Sequence, residues 1–412
     1  MQGPTILSQL PEDWKWAEVS SIAELYRGIS YTKDVASNNP FDGALPILRA
    51  NNINGELNYD DLVYVPQALI KKEQFIKEGD IIFAMSSGSK HLVGKSAVAR
   101  KDFNGSYGAF CALLRVNNAV NKKYVSYVFK GSSFRKLISE IAKGTNINNL
   151  KSEHILTFKL PLPAKQIQNA IVSKIEELFS ELDKGIENLR IAQQQLKTYR
   201  QAVLKWAFEA KSCCSILFSQ IVLSYQNGIS KRSASDGKPI KILRLADIVR
   251  GEINSVEPRK INLTNLEIDK YGLEKDDIIA IRVNGSKELV GRFIFVDKPD
   301  GWGFCDHFIR IKFDRKKVIP KLMKYFSESR PVRKFIELNM VSSAGQNTIS
   351  QGTLSALELR LPSLGEQSRI LQAIERRLSV ADKMEETIAK GLEQASVLRQ
   401  SILKQAFEGK LI

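Results

Sequence analysis

Histidine and cysteine are scarce: three and four among 412 residues. His91, His154 and His307 lie far apart and no Cys-x-x-Cys occurs, so no metal site is expected. Cys111, Cys213, Cys214 and Cys305 are too few and too scattered for a disulfide framework. No apolar run approaches the roughly 18 residues that span a bilayer. The start, Met1-Gln2-Gly3-Pro4, lacks the basic-then-apolar order of a secretion signal. The expectation is a cytoplasmic protein with reduced thiols.

Catalytic signatures are missing too. Gly88 to Ser96 superficially resembles a phosphate-binding loop. It has five residues between its glycines where the motif needs four, and the second copy of the segment, Val290-Gly291-Arg292-Phe293, has no Lys-Ser pair. Asn39-Pro40-Phe41 lacks the second proline of the amino-methyltransferase element and reads as a turn. No metal-ligand helix, nucleophile elbow or carboxylate pair stands out. The chain reads as a binder and not a catalyst.

What the chain has is positive charge and internal repetition. Lys+Arg total 61 against 45 Asp+Glu, a net +16, which points to a polyanionic partner and to nucleic acid before membrane. The length predicts two or three domains. Adding 197 to Asp80-Ile81-Ile82, Gly88-Ser89-Lys90 and Leu92-Val93-Gly94 gives Asp277-Ile278-Ile279, Gly285-Ser286-Lys287 and Leu289-Val290-Gly291. Nine of fifteen positions are identical over 80–94. At an offset of 199, fifteen of 37 positions are identical over 175–211, among them Arg200-Gln201, Leu204-Lys205 and Ala207-Phe208-Glu209. The chain is a tandem duplication, each half a variable block followed by a better-matched tail.

The blocks, 1–160 and 212–361, read as mixed α and β. Asp80–Ala84 and Asp277–Ile281 carry strand signals, as do 97–99, 112–116, 292–296 and 308–313. Residues 124–141 and 319–338 look helical. The tails, 161–211 and 362–412, follow Leu160-Pro161-Leu162-Pro163 and Leu361-Pro362 and then contain no proline. Their apolar residues recur at spacings of three and four. The packing stripe is expected at Ile171, Ile175, Leu182, Leu189, Leu196 and Val203, and at Ile370, Ile374, Ala381, Ile388, Leu398 and Ile402. A helix of about 45 residues is on the order of 65 Å long and cannot bury such a stripe against itself. One tail against the other is the economical solution. A pseudo-twofold axis across the pair makes them antiparallel, with the blocks at opposite ends. The competing arrangement folds each tail onto its own block. The expected fold is α+β: two similar mixed α/β domains separated by two long antiparallel helices forming an intramolecular coiled coil.

These features together resemble the specificity (S) subunits of type I restriction–modification enzymes over essentially the whole chain. The resemblance rests on Leu10-Pro11 with Trp14, Gly-Asp-Ile-Ile at 79–82, the Gly-Ser…Val-Gly loop at 88–94, and Leu160-Pro161-Leu162-Pro163 with Gln166. It also rests on Ala207-Phe208-Glu209, Leu361-Pro362 with Glu366-Gln367, and the close Leu403-Lys404-Gln405-Ala406-Phe407-Glu408-Gly409-Lys410-Leu411. The chain departs from the pattern at Glu209-Ala210-Lys211, where the family usually has glycine, and after Cys213, where Leu-Pro-x-x-Trp is not clear. The resemblance implies two target-recognition domains, each reading half of a split double-stranded DNA site, and helices that set the spacing. It implies docking of two methyltransferase subunits and, through them, restriction subunits. No cofactor is implied in this chain: S-adenosylmethionine belongs to the adenine-N6 methyltransferase partner, ATP and Mg to the restriction partner. The alternatives are a stand-alone DNA methyltransferase or nuclease carrying its own active site, the former binding S-adenosylmethionine itself, and a non-catalytic coiled-coil scaffold, which would not retain DNA.

Residues identical in both halves cannot read different bases. Gly88, Ser89, Lys90 and their twins Gly285, Ser286, Lys287 therefore suit scaffold or phosphate contacts. Neighbours that differ suit base reading: Ser86, Ser87 and His91 against Val283, Asn284 and Glu288. Further DNA-binding candidates are Tyr31, Lys33, Arg49, Asn51 and Asn52 in the first block, and Lys231, Arg232, Arg244, Asp247 and Arg282 in the second. Gly144 to Asn149, and Gly345-Gln346-Asn347-Thr348, form a second polar loop that faces DNA, a partner or neither.

Overall fold

The structure, a computed structural model, describes residues 10–87, 93–144, 149–209, 215–249, 251–254 and 257–412, with the backbone alone at 142–144. The chain divides into two compact units, Met1–Leu189 with Lys390–Ile412, and Arg190–Ala389. Among the described residues no helix is long and apolar enough to cross a membrane.

Unit 1 begins β1 (Lys15–Glu18), β2 (Ala23–Arg27), β3 (Ala44–Leu48), β4 (Val63–Pro66), β5 (Ile81–Ala84), β6 (Ser96–Val98), β7 (Ser106–Tyr107) and β8 (Cys111–Val116). Then come α1 (Lys122–Lys130), α2 (Ser132–Gly144), α3 (Ser152–Leu156), β9 (Lys159–Leu162) and α4 (Lys165–Phe208), which continues into unit 2. Three sheets result: β2-β8-β5-β6, all antiparallel; β4-β3-β7, with β3 and β7 parallel; and the pair β1-β9. Strand β5 shows why its sequence is continuously apolar. Side chains alternate faces along a strand. Ile81 and Phe83 enter the core shared with the helices, while Ile82 and Ala84 enter the core under the second sheet. A strand covered on both sides has no polar face.

Unit 2 repeats the plan. Its strands are β10 (Ser215–Leu217), β11 (Val222–Asn227), β12 (Lys238–Leu243), β13 (Ile248–Val249), β14 (Glu252–Ile253) and β15 (Arg259–Leu263). Helix α5 (Asn265–Tyr271) precedes β16 (Ile278–Ile281), β17 (Val283–Asn284), β18 (Phe293–Phe295), β19 (Trp302–Phe304) and β20 (Phe308–Phe313). Next come α6 (Pro320–Glu328), α7 (Arg330–Asn339), β21 (Val341–Ser343), β22 (Gln346–Thr348), α8 (Gln351–Ser355), β23 (Glu358–Arg360) and α9 (Leu364–Phe407). The sheets β11-β20-β16-β18, β15-β12-β19 and β10-β23 match the three of unit 1 strand for strand. In β16, Ile278 and Ala280 face one core, Ile279 and Ile281 the other.

The single helices expected at 124–141 and 319–338 are each two. Gly131 takes an extended backbone between α1 and α2, and Phe407 lies 3.7 Å from where its Cβ would sit. Ser329 breaks α6 from α7, where Pro331 opens the second helix. Both breaks fold the second helix back over the sheet, so that Phe134 and Ile336 enter the cores.

Within each unit the two long helices run antiparallel. In unit 1, Arg399 pairs with Asp183 and its guanidinium lies 4.4 Å from the Phe179 ring, while Leu189 meets Gly391. In unit 2, Arg200 binds Glu385 at 2.9 Å and Asp382 at 2.5 Å, and Arg377 lies 4.4 Å from the Trp206 ring. Arg200 and Arg399 are twins, as are Asp382 and Asp183. The helices also pack on the sheets beside them: Ile171, Ile175 and Phe179 share one core with Tyr124, Leu403 and Ala406. The two packing schemes that compete on sequence grounds therefore coexist.

The stripe differs from expectation at one end. Buried places on α9 recur every seven residues, at Ala381, Ile388, Ala395 and Ile402. Leu392 and Arg399, four residues after a buried place, are half-buried. The seam follows that side, so Leu398, three residues after Ala395, turns outward and is 50% exposed. Leu182, Leu189 and Ile370 are half-buried, while Leu196, Val203 and Ile374 are fully buried.

A buried glutamine ties each long helix to its sheet unit. Gln168 Oε1 accepts the Asn121 N–H at 2.8 Å and its Nε2 donates to Pro163 O at 2.8 Å. Gln367 Oε1 accepts the Ile319 N–H at 2.9 Å and its Nε2 donates to Lys317 O and Pro362 O. Gln166, singled out from the sequence, is exposed; the glutamine equivalent to Gln367 is Gln168.

Candidate nucleic-acid interface

In each unit, glycines govern the chain beside the central strands. Strand β2 exits through Gly28-Ile29-Ser30-Tyr31, strand β11 through Gly228-Ile229-Ser230-Lys231. A Cβ on Gly28 would lie 2.1 Å from Gly108 O, and one on Gly228 would lie 2.0 Å from Cys305 O. Only glycine allows this exit to run against the turn before β8 or β20. Gly94 and Gly291 have φ of +77° and +72°, and a Cβ there would strike Ile138 or Ile336. Gly94 thus lies against α2 and Gly291 against α7.

In unit 1, Arg49 donates from Nη2 to the Asp61 carboxylate and carbonyl, each at 2.8 Å. Asn52, 2% exposed, accepts the Arg49 N–H through Oδ1 at 2.8 Å and donates to Asp60 O at 2.8 Å. The Asn52 carboxamide thus closes the turn with both its oxygen and its nitrogen. Asn51 and Lys33 are exposed on short turns. Tyr31 is half-buried against Gly108, and burial raises its phenol above the ordinary range, with Arg49 opposing. Ser86 and Ser87 are half-buried, and the Ser86 N–H donates to Phe110 O at 3.2 Å. Ser89, Lys90 and His91 lie outside the described residues, as does most of the segment Gly144 to Asn149, of which Asn149 bridges to Ser86.

Unit 2 gathers more of its candidates. Lys231, Arg232 and Arg244 line one hollow of about 230 Å³ with Arg259, Cys305, Asp306 and His307. Arg282 reaches its edge, donating from Nη1 to Asp306 O at 3.3 Å. Lys231 also pairs with Glu267 at 2.6 Å. Asp247, 3% exposed, repeats the turn of Asn52: its Oδ2 accepts the Arg244 N–H at 2.9 Å. Both of its oxygens also accept from the Arg244 guanidinium.

The loop after β16 is held from below. Arg333 Nη2 donates to Lys287 O and Glu288 O at 3.2 and 3.1 Å, and Arg292 Nε donates to Glu288 O at 2.9 Å. Burial, with Arg292 adding, pushes the Arg333 guanidinium down to about 10. Asn284 Oδ1 accepts the Ser286 N–H at 2.8 Å. The carbonyls are thereby consumed, and the side chains of Ser286, Lys287 and Glu288 are left exposed. The polar segment Gly345-Gln346-Asn347-Thr348 is the second half of a hairpin. Strand β22 pairs with β21 and with β17, and buried Asn347 donates to Asn284 O and Gly285 O.

Cys305, Asp306 and His307 place a thiol, a carboxylate and an imidazole within 4.8 Å of one another. Four cationic side chains line the same hollow, which opposes a metal ion and favours an anion. Burial pushes the Cys305 thiol up. Arg259, His307 and its counterpart Phe110 are site residues that the sequence reading passed over. At an offset of 197 the repeat aligns Tyr107-Gly108-Ala109-Phe110-Cys111 with Phe304-Cys305-Asp306-His307-Phe308, a short stretch where the two copies share no residue.

Residues 11–190 match the model of the type I restriction modification DNA specificity domain. The chain is 39% identical to the type I restriction enzyme StySPI specificity subunit of Salmonella potsdam, covering 98% of this chain and 90% of the relative. It is 33% identical to the EcoKI specificity subunit of Escherichia coli, with the same coverage. Among solved structures, a chain from work on complex assembly and conformational transition of the type I R-M system superposes with a TM-score of 0.75 at 15% identity. That match covers 98% of this chain and 99% of the other. The HsdS subunit from Thermoanaerobacter tengcongensis gives 0.54 at 16% identity, covering 97% and 98%. With this sequence identity over nearly its whole length, the chain belongs to the specificity subunits of type I restriction–modification systems, the non-catalytic components that recognise DNA sequence.

Proposed function

We propose that each unit reads one half of a bipartite double-stranded DNA site. The target-recognition domains are residues 1–160 and 212–361, and the spacer helices 161–211 and 362–412 set the distance between half-sites. The observation that carries this reading is a repeated scaffold bearing unrepeated side chains. Gly28 and Gly228, Gly94 and Gly291, and the turns at Arg49 and Arg244 hold the same backbone. Phe110 and His307, Ser86 and Val283, and Tyr31 and Lys231 differ upon it. A protein that reads two different half-sites needs that combination. The exposed Lys287 supplies phosphate attraction, as do the cations around the unit 2 hollow.

The long helices dock two methyltransferase subunits, and restriction subunits join through them. The methyltransferase supplies S-adenosylmethionine and methylates adenine at N6; the restriction subunit uses ATP and Mg. The complex works in the cytoplasm. The test is methylation-sensitive sequencing of DNA exposed to the methyltransferase partner with and without this chain. The expected result is a methylated motif of two blocks separated by unread base pairs, seen only with the chain. A motif of one block, or methylation that ignores the chain, refutes the reading.

A further inference from the structure

The turn before the last central strand is the most firmly stapled element of each candidate interface. In unit 1, Gly108 N–H donates to Leu48 O at 2.9 Å and Ile29 N–H donates to Tyr107 O at 3.0 Å. Gly28 N–H donates to Cys111 O at 3.1 Å, and Met85 and Ser86 N–H both donate to Phe110 O, at 2.8 and 3.2 Å. Unit 2 repeats every bond. Cys305 N–H donates to Leu243 O, Ile229 N–H to Phe304 O, Gly228 N–H to Phe308 O, and Arg282 and Val283 N–H to His307 O. The backbone of this turn is thus fixed on three sides and has the same form in both copies.

At its apex the side chains differ. Phe110 is 67% exposed, although burial of a phenylalanine ring stabilises a fold. It contributes little to the core, and the turn beside it carries only Gly108 and Ala109. A rigid mount that presents a large apolar ring to solvent, next to Ser86 and Tyr31, has the form of a reading element.

We propose that the apex residue of this turn is a specificity determinant. Phe110 reads a base pair of the first half-site through apolar contact with a thymine 5-methyl group, and its counterpart His307 reads the second half-site through a hydrogen bond to a base edge. The inference rests on the DNA reading proposed above and deepens it. Phenylalanine has no group for a phosphate, so its contribution is selective and not general. Imidazole beside Asp306, at 3.3 Å, has donor and acceptor capacity in the equivalent place.

The test uses the full chain with its methyltransferase partner, as wild type, Phe110→Ala and His307→Ala, acting on a library of random-sequence duplexes. Phe110→Ala is expected to relax one position of one half-site from thymine to several bases and to leave the other half-site intact. His307→Ala is expected to relax one position in the opposite half-site. At the position relaxed by Phe110→Ala, replacing dT by dU in a duplex removes only the methyl group. Wild-type binding should weaken by about fourfold, as expected for one buried methyl, and Phe110→Ala binding should not change. An unchanged motif for Phe110→Ala, a loss spread evenly over both half-sites, or wild-type indifference to dU overturns the inference. A wild-type complex that yields no two-block motif overturns the underlying DNA reading as well. A wild-type motif that persists in Phe110→Ala overturns only the role of the apex.

Discussion

Arg244 grips Asp247 through both carboxylate oxygens, Nε to Oδ2 at 3.0 Å and Nη2 to Oδ1 at 3.1 Å. The same carboxylate accepts the Arg244 backbone N–H, so one buried side chain closes a whole turn. Asn52 closes the twin turn with Arg49 and has no charge. Removing Asp247 strands a buried N–H, whereas asparagine retains an acceptor. Asp247→Ala is therefore expected to cost about 1–3 kcal/mol and Asp247→Asn less, because the Arg244 side chain is 39% exposed and its ion pair is screened. Denaturant unfolding of the two variants checks the order.

Gln367 gives a second stability prediction. Its carboxamide joins the Ile319 N–H to Lys317 O and Pro362 O and is fully buried. Gln367→Ala leaves three groups without a partner, and a loss of about 2–4 kcal/mol is expected. Gln367→Glu keeps the acceptor but puts a carboxylate against two carbonyls, so it should fare no better. Gln166→Ala, at an exposed position, should change stability by less than about 0.5 kcal/mol. Thermal unfolding of the three variants distinguishes them.

The duplication made much of this architecture legible. Identity at 80–94 and 175–211 marks residues whose structural roles recur: the backbone of Gly94 and Gly291, and the guanidinium pairs of Arg200 and Arg399. The helices were legible because a seven-residue stripe persists over six turns. Leu398 misled because spacing alone does not say on which side of a buried row the partner helix lies. Of the interface, the charged candidates Lys231, Arg232 and Arg244 do converge in one hollow. The turn-closing bonds of Asn52 and Asp247 were not legible, because a short polar side chain suits a base edge and a tight turn equally. Phe110 and His307 were passed over because an aromatic or a histidine just before a strand usually belongs to a core. Only the hydrogen bonds onto their carbonyls reveal that the backbone there is fixed alike in both copies.

Lys287 and Arg282 should separate two kinds of DNA contact. Lys287 is exposed and identical in both copies, which suits phosphate, while Arg282 occupies a position where the copies differ. Lys287→Ala should weaken binding to all sequences alike and reduce the slope of log affinity against log salt by about one. Arg282→Ala should relax one position of the second half-site and alter the slope less. Binding titrations at several salt concentrations, on cognate and mismatched duplexes, read both effects.

Asp277 sets a pH dependence in unit 2. Burial raises its carboxyl above the ordinary value, and the Glu274 N–H and Arg310 only partly compensate; the closest Arg310 nitrogen is 4.0 Å away. A group with a raised folded pKa favours the folded state while protonated. That contribution is complete below the unfolded carboxylate value of about 3.9 and is lost as the pH rises through the higher folded value. Asp277→Asn does not titrate. The stability of the wild type relative to Asp277→Asn should therefore be greatest in acid and decline towards neutral pH. Denaturant midpoints for both proteins from pH 4 to pH 7 measure it; a difference that grows with pH contradicts the assignment.

The spacer role proposed for α4 and α9 makes a geometrical prediction. The antiparallel register, with Arg399 beside Asp183 and Leu189 beside Gly391, is kept if both helices are lengthened together. Four added residues in each, placed after Leu189 and before Lys390, make close to one turn and add about 6 Å. The apolar stripe then returns to nearly the same face. With duplex DNA rising about 3.4 Å per base pair, the unread gap should grow by one or two base pairs while both half-sites keep their sequence. Two added residues in each helix would turn the stripe through roughly half a circle and should instead destroy binding. Motif mapping of the two insertion variants decides the matter: a gap unchanged by the four-residue insertion would mean that the spacing is set elsewhere in the complex.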